Sequence, residues 1–177
     1  MNTAEDNSIM SRVIGGLRNY FWAATTVVTA IDQLTKLAFV GQNARHIKIL
    51  PGFLEIVPTS YNERGAFSLG PNSALFYIIA TAVGLVLIGW FFVTTPAERR
   101  LPFIAFGLIA GGAVGNLIDR TILGAVRDFI FMHWLDKAQW PVYNLADAAI
   151  CIGVALIFFE LIFGTAEQAD EADEMSE

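Results

Sequence analysis

Asp128 and Asp147 stand 19 residues apart, far enough for the chain between them to fold back and bring the carboxylates face to face. Two carboxylates held that close cannot both ionise easily, so one keeps a proton while the other is a base. Such a pair can activate water against an amide carbonyl and protonate the departing nitrogen. That chemistry requires neither a metal nor a cofactor. Asn116, Asp119 and Arg120 follow at i, i+3, i+4, which sets them on one helix face with Gly112. Asn144 and Asp147 are i, i+3, and the small residues Ala148, Cys151 and Ala155 extend their face. Asp32 and Lys36 are i, i+4 with the acid first, the better order for an ion pair, and Thr25 and Thr29 continue that stripe. On position alone Asp119, Asp128 and Asp147 could each be half of a dyad. Arg120, adjacent to Asp119, is its expected charge partner, and Arg127 is expected to point away from Asp128.

The elements that carry these residues lie in a membrane. The chain is 55% hydrophobic and only 16% charged, with a mean hydropathy of +0.53, whereas a soluble domain has about a quarter of its residues charged. Four stretches, roughly 21–40, 74–93, 101–118 and 142–163, are long enough to cross a hydrocarbon core as helix. The expected fold class is an all-α membrane protein: four transmembrane helices, a small β-rich extracytoplasmic cap and an interfacial loop segment, in one membrane-embedded domain over residues 1–177. The cap is expected from His46–Asn62, where β-branched and aromatic residues are broken by Pro51, Gly52 and Pro58. The interfacial segment is expected from Phe129, Phe131, Trp134 and Trp140, since such rings favour the headgroup layer. A charge within a span costs about 2.5–3.5 kcal/mol on insertion scales, so it generally has a partner and a role. Alternate spans run in opposite directions. Asp32 and Lys36 late in the first, Asn116, Asp119 and Arg120 at the end of the third, and Asn144 and Asp147 at the start of the fourth therefore approach one membrane face.

The net charge of −6 is local: residues 165–177 hold six of the 17 acids and no base, leaving 11 acids against 11 Lys and Arg. Residues 1–17 and 165–177 are expected to be disordered cytoplasmic tails. Lys and Arg counts do not settle orientation by themselves; Arg18, Arg99 and Arg100 at span ends favour cytoplasmic termini. The first span lacks a small-residue cleavage pattern and reads as a retained anchor. Scattered basic residues exclude a nucleic-acid surface. Two histidines without an HExxH give a zinc protease little support. The single cysteine, Cys151, allows no internal disulfide and is assigned to the core, His133 to the membrane interface and Glu160 to a structural role. Gly107, Gly111 and Gly115, four residues apart, read as close helix packing.

Four motifs carry a family resemblance: Ile31-Asp32-Gln33-Leu34-Thr35-Lys36, the run Gly111 to Arg120 (GGAVGNLIDR), Val126-Arg127-Asp128-Phe129-Ile130 and Tyr143-Asn144-Leu145-Ala146-Asp147. In that order, over about Ile31 to Ile157, the chain resembles the lipoprotein signal peptidases, or signal peptidase II, of bacterial inner membranes. The resemblance implies an aspartic endopeptidase that cleaves prolipoproteins before their diacylglyceryl-cysteine. It implies Asp128 and Asp147 as the catalytic pair and Asn116, Arg120 and Asn144 as groups that hold substrate or order the dyad. Asp32 and Lys36 match a structural, substrate-proximal pair; Asp119, adjacent to Arg120, is read from its position as a structural partner beside the site. It also implies a multi-pass inner-membrane protein with the site near the extracytoplasmic face, in contact with lipid and expected to be a monomer. One motif departs: in Asn62-Glu63-Arg64-Gly65-Ala66-Phe67, Arg64 stands where the family has glycine, which bears on Asn62 and Gly65.

Two other functions compete. A transporter or channel subunit would spread its charges through the membrane depth, and here they gather at one face. An assembly factor without chemistry would tolerate loss of either Asp128 or Asp147.

Overall fold

A computed structural model describes residues 3–40, 46–64, 71, 73–96, 99–134 and 138–174. Four helices, α1 (Thr3–Phe39), α2 (Ala74–Thr94), α3 (Arg100–Leu123) and α4 (Leu145–Glu174), are joined to strands β1 (Ile47–Leu50), β2 (Leu54–Asn62), β3 (Val126–Trp134) and β4 (Ala138–Gln139). The helix α3 is the centre of the bundle, with α1, α4 and α2 packed around it.

Small residues explain why α3 takes that place. A Cβ on Gly111 would lie 2.8 Å from the Thr25 carbonyl oxygen of α1, and one on Gly112 would run into the Ala146 carbonyl of α4. Only glycine admits both neighbours at this approach. The closeness is used for hydrogen bonds. The Thr25 and Thr29 hydroxyls donate to the carbonyls of Gly107 and Gly111 at 3.3 and 3.1 Å, and the Gln33 amide to that of Gly115 at 3.0 Å. Donors and acceptors both step by four residues, so α1 and α3 lie parallel in one fixed register. In hydrocarbon each such bond satisfies a donor that has no water to turn to.

Three helices are long and apolar enough to cross a membrane among the described residues: α2, α3 and Leu145–Phe163 of α4. Four spans were expected, and α1 is the one that falls short. Thr25, Thr29, Asp32, Gln33 and Lys36 lower its hydropathy. Yet these residues face α3 and α4, while Val27, Ile31, Leu34 and Leu37 are exposed on the other side. The helix α2 has no buried residue: Leu85, Ile88 and Phe92 rest partly buried on the core, while Leu75, Ile79, Val83, Val86, Leu87, Trp90 and Val93 are exposed over the rest of its surface. Such a surface is stable only against hydrocarbon. α1 begins at Thr3 and α4 continues to Glu174, so both helices run into the stretches expected to be tails. Ala and Glu, abundant in residues 165–177, propagate a helix that a span has already nucleated.

The cap is a four-stranded antiparallel sheet in the order β1-β2-β3-β4. Leu50-Pro51-Gly52-Phe53 turns β1 into β2: Gly52 has φ 79° and the Phe53 N–H donates to the Leu50 carbonyl at 3.0 Å. Proline then glycine at the two central positions suits a type II turn. The β2–β3 register shifts between Ile56 and Ser60, around Pro58, which has no N–H to give the ladder. The segment expected to lie along the membrane surface is instead strand β3, with Phe129 buried at 1% exposure and its ring centroid 4.9 Å from that of Phe39. Trp134 and Trp140, at its edges, are exposed. His133, assigned to the interface, is buried in the sheet, stacked on Phe131 with Nε2 3.5 Å from Glu55. Glu160 pairs with Arg99 at 3.3 Å, a structural contact as expected.

Candidate functional site

The site forms where β3 passes over the ends of α1, α3 and α4. Asp128 belongs to the strand rather than a loop. Asp147 lies in the first turn of α4, which starts at Leu145 and not at 142, where the fourth span was expected to begin. Asn144 is the helix N-cap. Its Oδ1 accepts the Asp147 N–H at 3.0 Å, and an Asp147 carboxylate oxygen accepts the Asn144 N–H at 3.2 Å. This reciprocal arrangement is a capping box, with Asp147 in the position usually held by Glu or Gln.

Two asparagine amides connect the carboxylates. Asn144 Nδ2 donates to Asp128 Oδ1 at 2.7 Å and to Asn116 Oδ1 at 3.2 Å, while Asn116 Nδ2 donates to Asp147 Oδ1 at 2.8 Å. Asn62, on β2, donates to Asp128 Oδ2 at 3.1 Å. Asn62 is itself oriented by the Arg64 N–H, which donates to its Oδ1 at 3.0 Å. Arg64 in place of the family glycine therefore leaves Asn62 on the carboxylate. Gly65 lies outside the described residues. Burial, and then the nearby Asp147 charge, push the Asp128 carboxyl up to about 7 against the amide bonds from Asn62 and Asn144.

Beneath the pair lies a buried charge cluster. Lys36 Nζ is 2.9 Å from Asp32 and 3.4 Å from Asp119, all three side chains being fully buried, and it donates to Asn116 Oδ1 at 2.9 Å. The expected Asp32–Lys36 pair is present, and Asp32 also accepts the Ala146 N–H at 3.0 Å. Asp119 has a different partner from the one expected. Its neighbour Arg120 turns outward, with its guanidinium carbon 5.0 Å from the Tyr77 ring centroid and Nη2 3.4 Å from the Arg64 carbonyl. Arg127 takes Asp119 instead, at 2.6 Å. Adjacent helix residues diverge by about 100°, whereas a strand crossing the helix end returns Arg127 onto it. Arg127 does point away from Asp128, as expected.

Asp128, Asp147, Asn62 and Arg120 line a cavity of about 190 Å³ with Trp140, Pro141, Val142, Tyr143, Ile150 and Cys151. Its walls are largely apolar and its polar groups few and convergent, as in a binding site for a mostly apolar ligand. Cys151, assigned to the core, is exposed and lines this cavity. Its i, i+4 spacing from Asp147 was the available signal. Gln33 and Arg127 had been given no role in the site. Among the described residues no group of three His, Cys, Asp or Glu side chains converges as a metal ion would need.

Comparison with known proteins places the chain in a family. A lipoprotein signal peptidase of Syntrophotalea carbinolica is 39% identical over 137 residues, 75% of this chain and 84% of that one. A lipoprotein signal peptidase of Geobacter metallireducens is 37% identical over 147 residues, 80% of this chain and 90% of that one. A solved bacterial membrane enzyme superposes with a TM-score of 0.75 at 28% identity, covering 83% of this chain and 90% of its own. The model of the signal peptidase (SPase) II family matches residues 24–163, and the chain belongs to that family.

Proposed function

We propose that this chain is an aspartic endopeptidase that removes the signal peptide from lipid-modified prolipoproteins by cleaving before the diacylglyceryl-cysteine, with Asp128 and Asp147 as the catalytic pair. The observation that carries the reading is the asparagine bridge: one relay of amides holds both carboxylates on the same cavity. In the proposed reaction Asp147, held by the Asn116 amide and the Asn144 N–H, is the base. It takes a proton from water as the oxygen attacks the scissile carbonyl. Asp128, the carboxyl still protonated near neutrality, delivers its proton to the departing nitrogen. Arg120, at the cavity edge, is placed to meet carbonyl groups of the substrate, and the apolar walls to receive acyl chain.

The proposed setting is the bacterial inner membrane, with α1 as a fourth span. Its polar side chains face the bundle and its apolar ones face outward, as a lipid-exposed helix requires. Four spans put both termini on one side and the sheet and aspartate pair at the other face, and Arg18, Arg99 and Arg100 at span ends favour the cytoplasm for the termini. Labelling of single cysteines at positions 43 and 165 in a Cys151→Ala background checks this. Modification of position 165 on intact cells by an impermeant reagent would overturn it.

Asp128→Asn and Asp147→Asn should each abolish cleavage of a lipid-modified precursor by purified protein while leaving folding and substrate binding intact. The double variant should be no worse, since residues acting as one unit are not additive. Asp119→Asn should keep measurable turnover. A dead Asp119→Asn beside an active Asp128→Asn would show that the pair is wrongly assigned.

A further inference from the structure

Arg127 directly precedes Asp128 on β3, and successive strand residues point to opposite faces. The Asp128 carboxylate faces the cavity, so the Arg127 side chain runs down onto the helices. There Nη2 lies 2.6 Å from Asp119 Oδ1 and Nε 3.1 Å from Asp119 Oδ2. Nη2 also donates to Gln33 Oε1 of α1 at 3.0 Å. The backbone N–H of Arg127 donates to Asp119 Oδ2 at 3.0 Å. One residue is thus tied to two helices, and one tie fixes the strand backbone itself, a single residue from Asp128.

The tie extends to the other carboxylate. Asp119 is 3.4 Å from Lys36, Lys36 donates to Asn116, and Asn116 donates to Asp147. Asp119 therefore joins the support of Asp128, through Arg127, to the support of Asp147, through Lys36 and Asn116. The charges of Asp32, Lys36, Asp119 and Arg127 cancel, so the cluster is neutral as a whole. A buried ion pair is weak evidence for stability, because apolar side chains of the same size often serve as well. What apolar packing lacks is direction. A guanidinium fork on a carboxylate accepts one geometry, and here that geometry decides where β3 lands.

We propose that Arg127 and Gln33 are positioning residues: their clamp on Asp119 sets the docking of β3 on the helix ends and so the placing of Asp128 against Asp147. The proposal rests on the aspartate-pair reading above. A shift of about 1 Å at reacting groups can cost on the order of 100-fold in rate. The clamp therefore acts on turnover more than on substrate affinity.

The test is steady-state kinetics of the full-length protein in detergent on a lipid-modified precursor, per mole of folded enzyme. Arg127→Met should lower kcat by on the order of 10-fold to 100-fold, with KM changed by less than about threefold. Arg127→Lys keeps the charge but not the fork and should fall between Arg127→Met and wild type. Gln33→Leu keeps the Arg127–Asp119 pair and should lose a few-fold in kcat. If Arg127→Met does not fold, Gln33→Leu decides in the same way: a lower kcat at unchanged KM supports the clamp. Wild-type kcat in the folded variants, with only a lowered melting temperature, overturns it. Asp128→Asn is measured alongside. An active Asp128→Asn overturns the pair and the clamp together, whereas an inactive one beside wild-type clamp variants overturns the clamp alone.

Discussion

Asn144 and Asp147 hold each other across the first turn of α4, each side chain accepting the other's backbone N–H, at 3.0 and 3.2 Å. The helix cap and one half of the aspartate pair are thus the same structure. Asn144 has a second task in the amide it extends to Asp128 at 2.7 Å.

The two tasks can be separated. Serine at position 144 retains a cap oxygen but has no amide to reach Asp128. Asn144→Ser should therefore melt near the wild type and lose most of its cleavage. Asn144→Ala should lose cleavage and also about 0.5–2 kcal/mol of stability for the missing cap. Thermal melts in detergent beside precursor cleavage check both. Full activity in Asn144→Ser would mean that the amide bridge is dispensable.

How far the sequence could be read depends on what each residue faces. The convergence of Asp32, Asn116 and Asn144 on one end was legible, because helix spacing and alternating span direction are enough to place them. Strand β3 was not. Phe129, Phe131 and Trp134 suit an interfacial segment as well as a strand, and only pairing with β2 distinguishes them. The partner of Asp119 was missed for the same reason, since sequence adjacency favours Arg120 and only the returning strand supplies Arg127. The first span shows the reverse problem. Its polar stripe lowers its hydropathy, yet that stripe is directed at the glycines of α3.

Lys36 sits between two fully buried acids, Asp32 and Asp119. Removing it strands carboxylates with less compensation, at a cost of about 3–5 kcal/mol for a broken buried pair. Lys36→Met should accordingly yield much less folded protein than the double variant Asp32→Asn/Lys36→Met. The recovered monodisperse fraction after detergent extraction measures this. Equal losses in the two variants would mean that the residues are not coupled.

Asp128 should make both turnover and stability depend on pH. Burial, with the Asp147 charge second, raises its carboxyl to about 7. As the proton donor it is competent below that value, so kcat should fall as pH rises through about 7. Stability follows the same sign. The folded state holds this proton more tightly than the unfolded chain, whose carboxyl titrates at about 3.9. The contribution is complete below that lower value and is lost as pH rises to about 7. Asp128→Asn has no such proton to lose. Its melting temperature should fall less between pH 5 and pH 8, two conditions chosen on either side of about 7. Parallel curves for Asp128→Asn and wild type would remove Asp128 as the source.

Cys151 offers an independent check that the cavity is where catalysis occurs. It is exposed, lines the cavity with both aspartates, and lies one helical turn beyond Asp147. In a space of about 190 Å³ an added maleimide would occupy much of the room a substrate needs. N-Ethylmaleimide should therefore inhibit cleavage progressively, and saturating precursor should slow the inhibition. Cys151→Ala should cleave at close to the wild-type rate, since no step of the proposed reaction uses the thiol, and should resist the reagent. Mass spectrometry of the intact protein would report whether the single cysteine has reacted. Complete modification with undiminished cleavage would place the reaction outside this cavity.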